Sequence, residues 1–341
     1  MKTELILHFL RLDIESRSLD LAPWAERLYV SNDLTRRFPA HEQRLLLRLE
    51  RKDSDDALAI APLRNGAFVE THLGLGPCYY EAGRFYSENQ GHLWHEMEYA
   101  FDHRTVRANL AGRYAHSPQA VMTYVVRPIL KGFLMPFYNL ATVHAAGVSK
   151  GERTFLLAGA PAAGKSTIAI HLMLAGYDLL SDDRTFVTLD DGSAYALSSL
   201  DSLHVTDHTL RMFPALGPHV VGEKDEGGKW TVCPGELPRG TAWRRPSRVT
   251  HFIQLRRGPV ARPMLSKLHS RPVLEDLLRE TMIVFRAPAL RSSPYPVREY
   301  SEFILAVVAA LVRDANLYAL EFADHDLPRI PALLDSLDAE N

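Results

Sequence analysis

The residue types best able to do chemistry fall between positions 144 and 184. Gly159-Ala160-Pro161-Ala162-Ala163-Gly164-Lys165-Ser166-Thr167 fits G-x-x-x-x-G-K-[ST], the spacing of a loop that cradles phosphates. Glycines let such a backbone turn tightly around a polyphosphate. The loop N–H groups meet the positive end of the helix that follows. Lys165 adds a mobile cation for the outer phosphates, and the Ser166 hydroxyl can ligate Mg2+. Gly159 through Thr167 are therefore the candidate nucleotide-binding residues.

An acidic pair, Asp182-Asp183, comes seventeen residues after Lys165. One helix and one strand fill the interval. A helix of about ten residues rises about 15 Å, and a returning strand at about 3.3 Å per residue covers that in about five. Gly176 to Ser181 has that length, so the carboxylates are expected to return to the Lys165–Ser166 corner. Phosphoryl transfer needs Mg2+ to neutralise the phosphates and a carboxylate to take the nucleophile's proton. Ser166 and Asp182 are the candidate metal ligands, and Asp183 the candidate base. The two aspartate roles are interchangeable at this stage. The plain alternative is a solvated turn at a strand end, with both aspartates as surface caps.

The elements that must position these groups are readable around them. Thr154-Phe-Leu-Leu-Ala158 is a short apolar run of strand type, and Ser166 to Ala175 reads as a helix stopped by Gly176. His144-Ala-Ala-Gly-Val148 reads as a buried strand, joined through the polar turn Ser149–Arg153 into a hairpin. Tyr177-Asp-Leu-Leu begins a strand ending in Ser181-Asp-Asp-Arg184, and Thr185–Leu189 continues it. Val249–Leu255 and Ala315–Phe322 are later strands. Helices are expected over Ala120–Tyr138, Thr206–Phe213, Val273–Phe285 and Tyr300–Arg313. Before residue 117, glycine-separated runs such as Phe68–His72, Cys78–Glu81 and Phe85–Ser87 signal β structure. Gln43–Arg51 fits either strand or helix.

His144-Ala-Ala-Gly-Val, the Gly-Lys-Ser loop and Ser181-Asp-Asp-Arg184, in that order, resemble the kinase domain of HPr kinase/phosphorylase. That domain belongs to the phosphoenolpyruvate-carboxykinase-like group of P-loop folds. The resemblance is carried by about residues 140–190 and covers the rest of 118–330 in outline. It implies ATP, Mg2+ and transfer to a serine hydroxyl. It places His144 near the transferred phosphoryl and makes Asp183 the base in phosphorylation, the acid in reverse. It also implies a homo-oligomer. Where the bifunctional enzymes carry an acidic Gly-Asp-Ser-Gly loop, this chain has Gly-Ala-Pro-Ala-Ala. Their Arg-Gly-Leu-Gly signature is absent. The chain looks closer to stand-alone HPr-kinase-like proteins, some of which resemble kinases that tailor peptides at serine. The fold so implied is a mixed-sheet α/β P-loop core over 118–341. The family's N-terminal domain has no visible counterpart; the β signals before residue 117 are read as an N-terminal β-rich α+β domain over 1–117, whose size and position suggest substrate recognition.

The expected function is an ATP- and Mg2+-dependent kinase acting on a serine of a peptide or small protein, with His144, Lys165, Asp182 and Asp183 catalytic. A nucleotide-binding regulatory module without transfer, or a small-molecule kinase, are the alternatives. Composition agrees with a soluble cytoplasmic protein: 46% of the 341 residues are hydrophobic and 23% charged. A formal net charge of −2 gives no pull toward nucleic acid or anionic membrane. Cys78 and Cys233 are far apart and suit a reducing compartment. The first ten residues read as neither a signal peptide nor a span. The basic run Arg239, Arg244, Arg245, Arg248, Arg256, Arg257 can hold phosphates or an acidic substrate, or be a solvated loop; Lys229 is a lesser candidate of the same kind. His92 and His95 lack metalloprotease spacing and are discounted.

Overall fold

The computed structural model describes residues 1–7, 10–17, 19–23, 44–51, 67–69, 78–81, 84–89, 94–100, 105–111, 117–126, 135, 139–198, 203–224, 228–233, 246–281 and 297–338. Two units emerge: Met1–Leu140 with Met282–Phe303, and Ala141–Thr281 with Ile304–Asn341. The chain is a mixed α/β protein in which both large sheets combine parallel and antiparallel neighbours.

Period-two alternation builds the first unit. Its strands are β1 (Lys2–Leu7), β2 (Leu10–Ser16), β3 (Arg44–Arg51), β4 (Ala67–Val69), β5 (Cys78–Glu81), β6 (Arg84–Asn89), β7 (Trp94–Ala100) and β8 (Thr105–Ala111). They form one eight-stranded sheet in the order β1-β2-β3-β8-β7-β6-β5-β4. Leu12 and Ile14, Leu47 and Leu49, and Val106, Ala108 and Leu110 alternate onto one buried face. Glu15 and Arg48 alternate outward and pair with each other at 3.2 Å. The Leu-rich segment at 44–51 is thus a strand, in which Leu47 and Leu49 are buried while Arg48 and Glu50 are exposed.

The long apolar helix expected from Ala120 takes another form. Ser117 caps α1 (Pro118–Val121) by accepting the Ala120 N–H at 3.2 Å, and the chain then widens into a π-helical turn, Met122–Val126. The remainder of that expectation, residues 127–134 and 136–138, lies outside the described residues.

The second unit holds β9 (Ala141–Val143), β10 (Ala145–Lys150), β11 (Arg153–Ala158), α2 (Lys165–Leu174), β12 (Asp178–Ser181), β13 (Thr185–Asp190) and β14 (Ser193–Leu197). After them come β15 (Leu203–Val205), α3 (Asp207–Met212), β16 (Val220–Val221), β17 (Trp230–Val232), β18 (Ser247–Arg248), β19 (His251–Arg257), β20 (Met264–Lys267) and α4 (Ser270–Thr281). The chain ends with α5 (Val297–Asp314), β21 (Asn316–Phe322) and α6 (Ile330–Asp335). The main sheet has the order β12-β10-β11-β19-β21-β20. β10 and β11 form the antiparallel hairpin, while β11, β19 and β21 run parallel. A four-stranded sheet, β18-β14-β13-β9, and a three-stranded one, β15-β17-β16, complete the unit.

The segment read as one strand from Tyr177 to Leu189 is two. β12 belongs to the main sheet and β13 to the four-stranded sheet. The break falls at Asp182–Arg184, between the two sheets. α2 is apolar on most of its circumference, and Ile168, Ala169, Ile170, Leu172 and Met173 are buried against Val148, Phe155 and Leu157 of the hairpin and Leu320 and Phe322 of β21. Each of the larger of these side chains contributes about 1.5–3 kcal/mol by leaving water. This packing fixes the start of α2 relative to the strand ends. Among the described residues, no helix is long and apolar enough to cross a membrane.

Candidate functional site

The buried strand Thr154–Leu157 delivers the chain to Gly159 at the carboxyl end of β11. A tight turn follows, in which the Ala163 N–H donates to the Ala160 carbonyl at 3.0 Å. Ala162 is held at φ 65°, a conformation that costs a non-glycine residue about 1–3 kcal/mol and persists where the surroundings impose it. Gly164 is the N-cap of α2 at φ 92°. A Cβ there would also sit 3.3 Å from the Phe322 ring, so both backbone and space call for glycine. No side chain caps α2, so its first-turn N–H groups, which lack partners within the helix, are presented at the loop.

Lys165 is buried, and its Nζ donates to the carbonyls of Gly159 at 2.9 Å and Ala160 at 3.4 Å. The ammonium group thus spans the mouth of its own loop. Ser166 Oγ donates to the backbone carbonyl of Asp182 at 3.1 Å. The acidic pair therefore meets the first turn of α2.

The turn carrying the pair is built by its neighbours. Ser181, buried at the end of β12, donates through Oγ to the Arg184 carbonyl at 2.7 Å and accepts from the Asp183 N–H at 3.4 Å. Thr185 opens β13 opposite Val143, and its Oγ1 donates to the Ala145 carbonyl at 2.9 Å. Those two links tie the acidic turn to the residues on either side of His144. Gly147 makes room for them: a Cβ there would lie 2.7 Å from Thr185 Oγ1 and 3.2 Å from Leu180 Cβ. The β10–β12 register shifts between Gly147 and Val148. His144 occupies a bend between β9 and β10, and its Nε2 lies 3.2 Å from Asp183 Oδ1.

The electrostatics of Asp183 follow from this placement. The hydrogen bond from His144 lowers its pKa from 3.8 to about 2, burial opposes the shift, and the charges of His144, Arg184 and Lys165 add to the lowering. Asp183 remains 61% exposed, so it is ionised yet reachable by a substrate.

The structure thus brings Lys165, Ser166, Asp182, Asp183 and His144 to one corner. Ser181, Gly147 and Thr185 position that corner and were not singled out from the sequence. The Ser-Asp-Asp-Arg and His-Ala-Ala-Gly strings carried the signal for Ser181 and Gly147; nothing local marked Thr185. Of the basic run, Arg239, Arg244 and Arg245 lie outside the described residues. Arg248 lies 3.8 Å from Asp314, at the four-stranded sheet. Arg256 and Arg257 end β19, where both are ion-paired. Lys229 is exposed beside Trp230. His92 and the side chain of His95 lie outside the described residues. No cluster of three or more His, Cys, Asp or Glu able to hold a metal occurs among the described residues.

No family model matches the chain, and no curated protein does. Among solved structures it is similar to the Hpr(Ser) kinase/phosphatase from Coxiella burnetii, at 13% identity and a TM-score of 0.31. The match covers 58% of this chain and 93% of that one. It is a distant structural relation.

Proposed function

We propose that this protein is an ATP- and Mg2+-dependent kinase that transfers the γ-phosphoryl group to a serine hydroxyl of a peptide or small protein. One observation carries the reading. Ser166, the hydroxyl next to the loop lysine, donates to the backbone carbonyl of Asp182, and the adjoining Asp183 lies 3.2 Å from His144. A phosphate loop, hard oxygen ligands, a carboxylate base and an imidazole thereby share one corner.

The donor set fits the metal. Mg2+ keeps several waters and takes one or two protein oxygens together with phosphate oxygens, without a dedicated protein cage. Ser166 Oγ and the Asp182 carboxylate are oxygens of that kind. Bound there, the ion would neutralise charge on the transferred group. Lys165 would exchange two neutral carbonyls for phosphate oxygens, and charge-assisted bonds are about twice as strong. The N–H groups at the start of α2 would hold the remaining phosphate oxygens.

Asp183 would take the proton of the serine hydroxyl. The hydroxyl oxygen bonds to the γ-phosphorus while the bond from that phosphorus to the β,γ-bridging oxygen breaks, and ADP leaves with the electron pair. His144 holds Asp183 ionised and oriented before the acceptor arrives, then donates toward the transferred phosphoryl. The alanine-rich loop offers backbone and no carboxylate of its own, which suits forward transfer from ATP.

Calorimetric titration with ATP, with and without Mg2+, is the first test. The wild type is expected to bind, with Mg2+ tightening the complex, and Lys165→Ala to weaken binding about ten-fold or more. A wild type that binds no nucleotide under either condition would remove the basis of the proposal.

A further inference from the structure

The loop has two flanks. Ser166, Asp182, Asp183 and His144 occupy one. The other is formed by the carboxyl ends of β19 and β21. Gly159 packs on β19, where a Cβ would lie 3.0 Å from the Leu255 carbonyl oxygen, and Gly164 packs on the ring of Phe322 in β21. Arg257 and Phe322 are register partners across β19 and β21, and the next N–H, of Gly258, donates to the Phe322 carbonyl at 2.9 Å. Register partners share a face of a sheet. Arg257 therefore leaves β19 on the side of Phe322 and the loop. Arg256 leaves on the opposite face, with Glu321 at 3.6 Å and Gln254 at 3.3 Å.

Arg257 is ion-paired with Asp324, and the two side chains are 44% and 60% exposed. An exposed pair of this sort contributes little to folding. Nor does the local turn depend on Asp324: the wholly buried Asp326 holds it, with Oδ2 accepting the Ala323 N–H at 3.0 Å. A guanidinium fork and a carboxylate thus stand beside a phosphate loop without a structural task.

A nucleoside triphosphate is asymmetric. If its γ end faces Asp183, its nucleoside end departs over the other flank, outside the carboxyl ends of the parallel strands, where ligands of α/β sheets bind. We propose that Arg257 and Asp324 seat the nucleoside half of the nucleotide. Arg257 turns from Asp324 to the α-phosphate, for which its planar fork is suited, and Asp324 accepts a hydrogen bond from a ribose hydroxyl. The proposal rests on the kinase reading above and adds to it which flank takes which end of the nucleotide.

The test is calorimetric titration, in Mg2+, of wild type, Arg257→Gln, Asp324→Asn and Arg256→Gln with ATP, 2′,3′-dideoxy-ATP and inorganic tripolyphosphate. Arg257→Gln should bind ATP about ten-fold more weakly, and Arg257→Lys should recover part of the loss. Asp324→Asn should lose the preference for ATP over the dideoxy analogue while binding tripolyphosphate at least as tightly as wild type. Arg256→Gln should match wild type. The assignment is overturned if Arg257→Gln and Asp324→Asn keep wild-type affinity and preference. It is equally overturned if both weaken all three ligands alike with a lowered melting temperature, as a purely structural pair would. A wild type that binds neither ATP nor tripolyphosphate sinks the kinase reading together with this one. Wild-type binding that Lys165→Ala weakens and Arg257→Gln leaves unchanged sinks only the flank assignment.

Discussion

The two ends of α2 use similar residue types for different ends. Beyond its carboxyl end, Asp335 takes both carboxylate oxygens to Lys150, at 2.9 and 2.7 Å, and accepts from Tyr177 at 2.7 Å. Arg153 adds donors to Asp335 and to the Leu334 carbonyl, and Lys150 lies 4.8 Å over the Tyr177 ring. Every strong donor there is matched by an acceptor that stays put, which staples α6 to the hairpin. At the amino end Lys165 donates to the Gly159 and Ala160 carbonyls of its own loop, and Asp183 lies 3.2 Å from His144 and 4.0 Å from Arg184 while staying largely exposed. Saturated charges hold a fold together. An ammonium held by neutral carbonyls and a carboxylate left largely exposed are the charges a ligand can claim.

The largest expected effect that sharpens this contrast is at Asp183. Asp183→Asn should lower phosphoryl transfer by about 10²–10⁴-fold, the usual worth of a positioned base, with a melting curve close to wild type. A large loss of stability with little loss of transfer would place Asp183 in the stapling class. Gly147→Ala comes next. Its new methyl would press on Thr185, whose hydroxyl is anchored to Ala145, so overpacking should cost about 1–3 kcal/mol in denaturant unfolding. Transfer should fall further than stability alone explains, because both His144 and the acidic turn move. Asp335→Ala should remove about 1–2 kcal/mol of stability, discounted for partial exposure, and leave ATP affinity untouched by calorimetry.

The smallest effect is electrostatic. His144→Ala deletes the main cause of the lowered Asp183 pKa, so its midpoint should rise from about 2 toward 3.8, read by carbon-detected NMR of the carboxyl group. The sign follows from linkage. A carboxylate with a depressed folded pKa stabilises fully above 3.8, and the contribution fades as pH falls toward 2. The variant should lose that window, while Asp183 stays ionised at neutral pH in both proteins. An unmoved midpoint would mean that His144 does not hold the carboxylate.

Much of the amino end of α2 was legible because its cues are local. Strand, loop and helix follow one another within 154–175, and the returning stretch to Asp182 has a length that helix rise and strand rise fix. The hairpin of β10 and β11 was readable from two apolar runs around a polar turn. What stayed hidden depends on contacts distant in sequence. Residues 177–189 look like one strand because the Ser181–Arg184 hydrogen bond that turns the chain leaves no apolar signature. Gly147 reads as an ordinary small residue until Thr185 is folded against it. The π-helical turn at 122–126 shares its apolar pattern with an α-helix. Arg257 could be noticed as charge, yet only the register with Phe322 separates it from Arg256.

The most direct measurement is a single-turnover reaction of the protein with γ-labelled ATP, Mg2+ and a library of serine-containing peptides, followed by mass-spectrometric mapping of the label. The account predicts label on a serine with the wild type, and its loss with Asp183→Asn although both proteins bind ATP with equal affinity. Wild-type protein that binds ATP with Mg2+ yet leaves the label on ATP, or releases it only as inorganic phosphate, would contradict it.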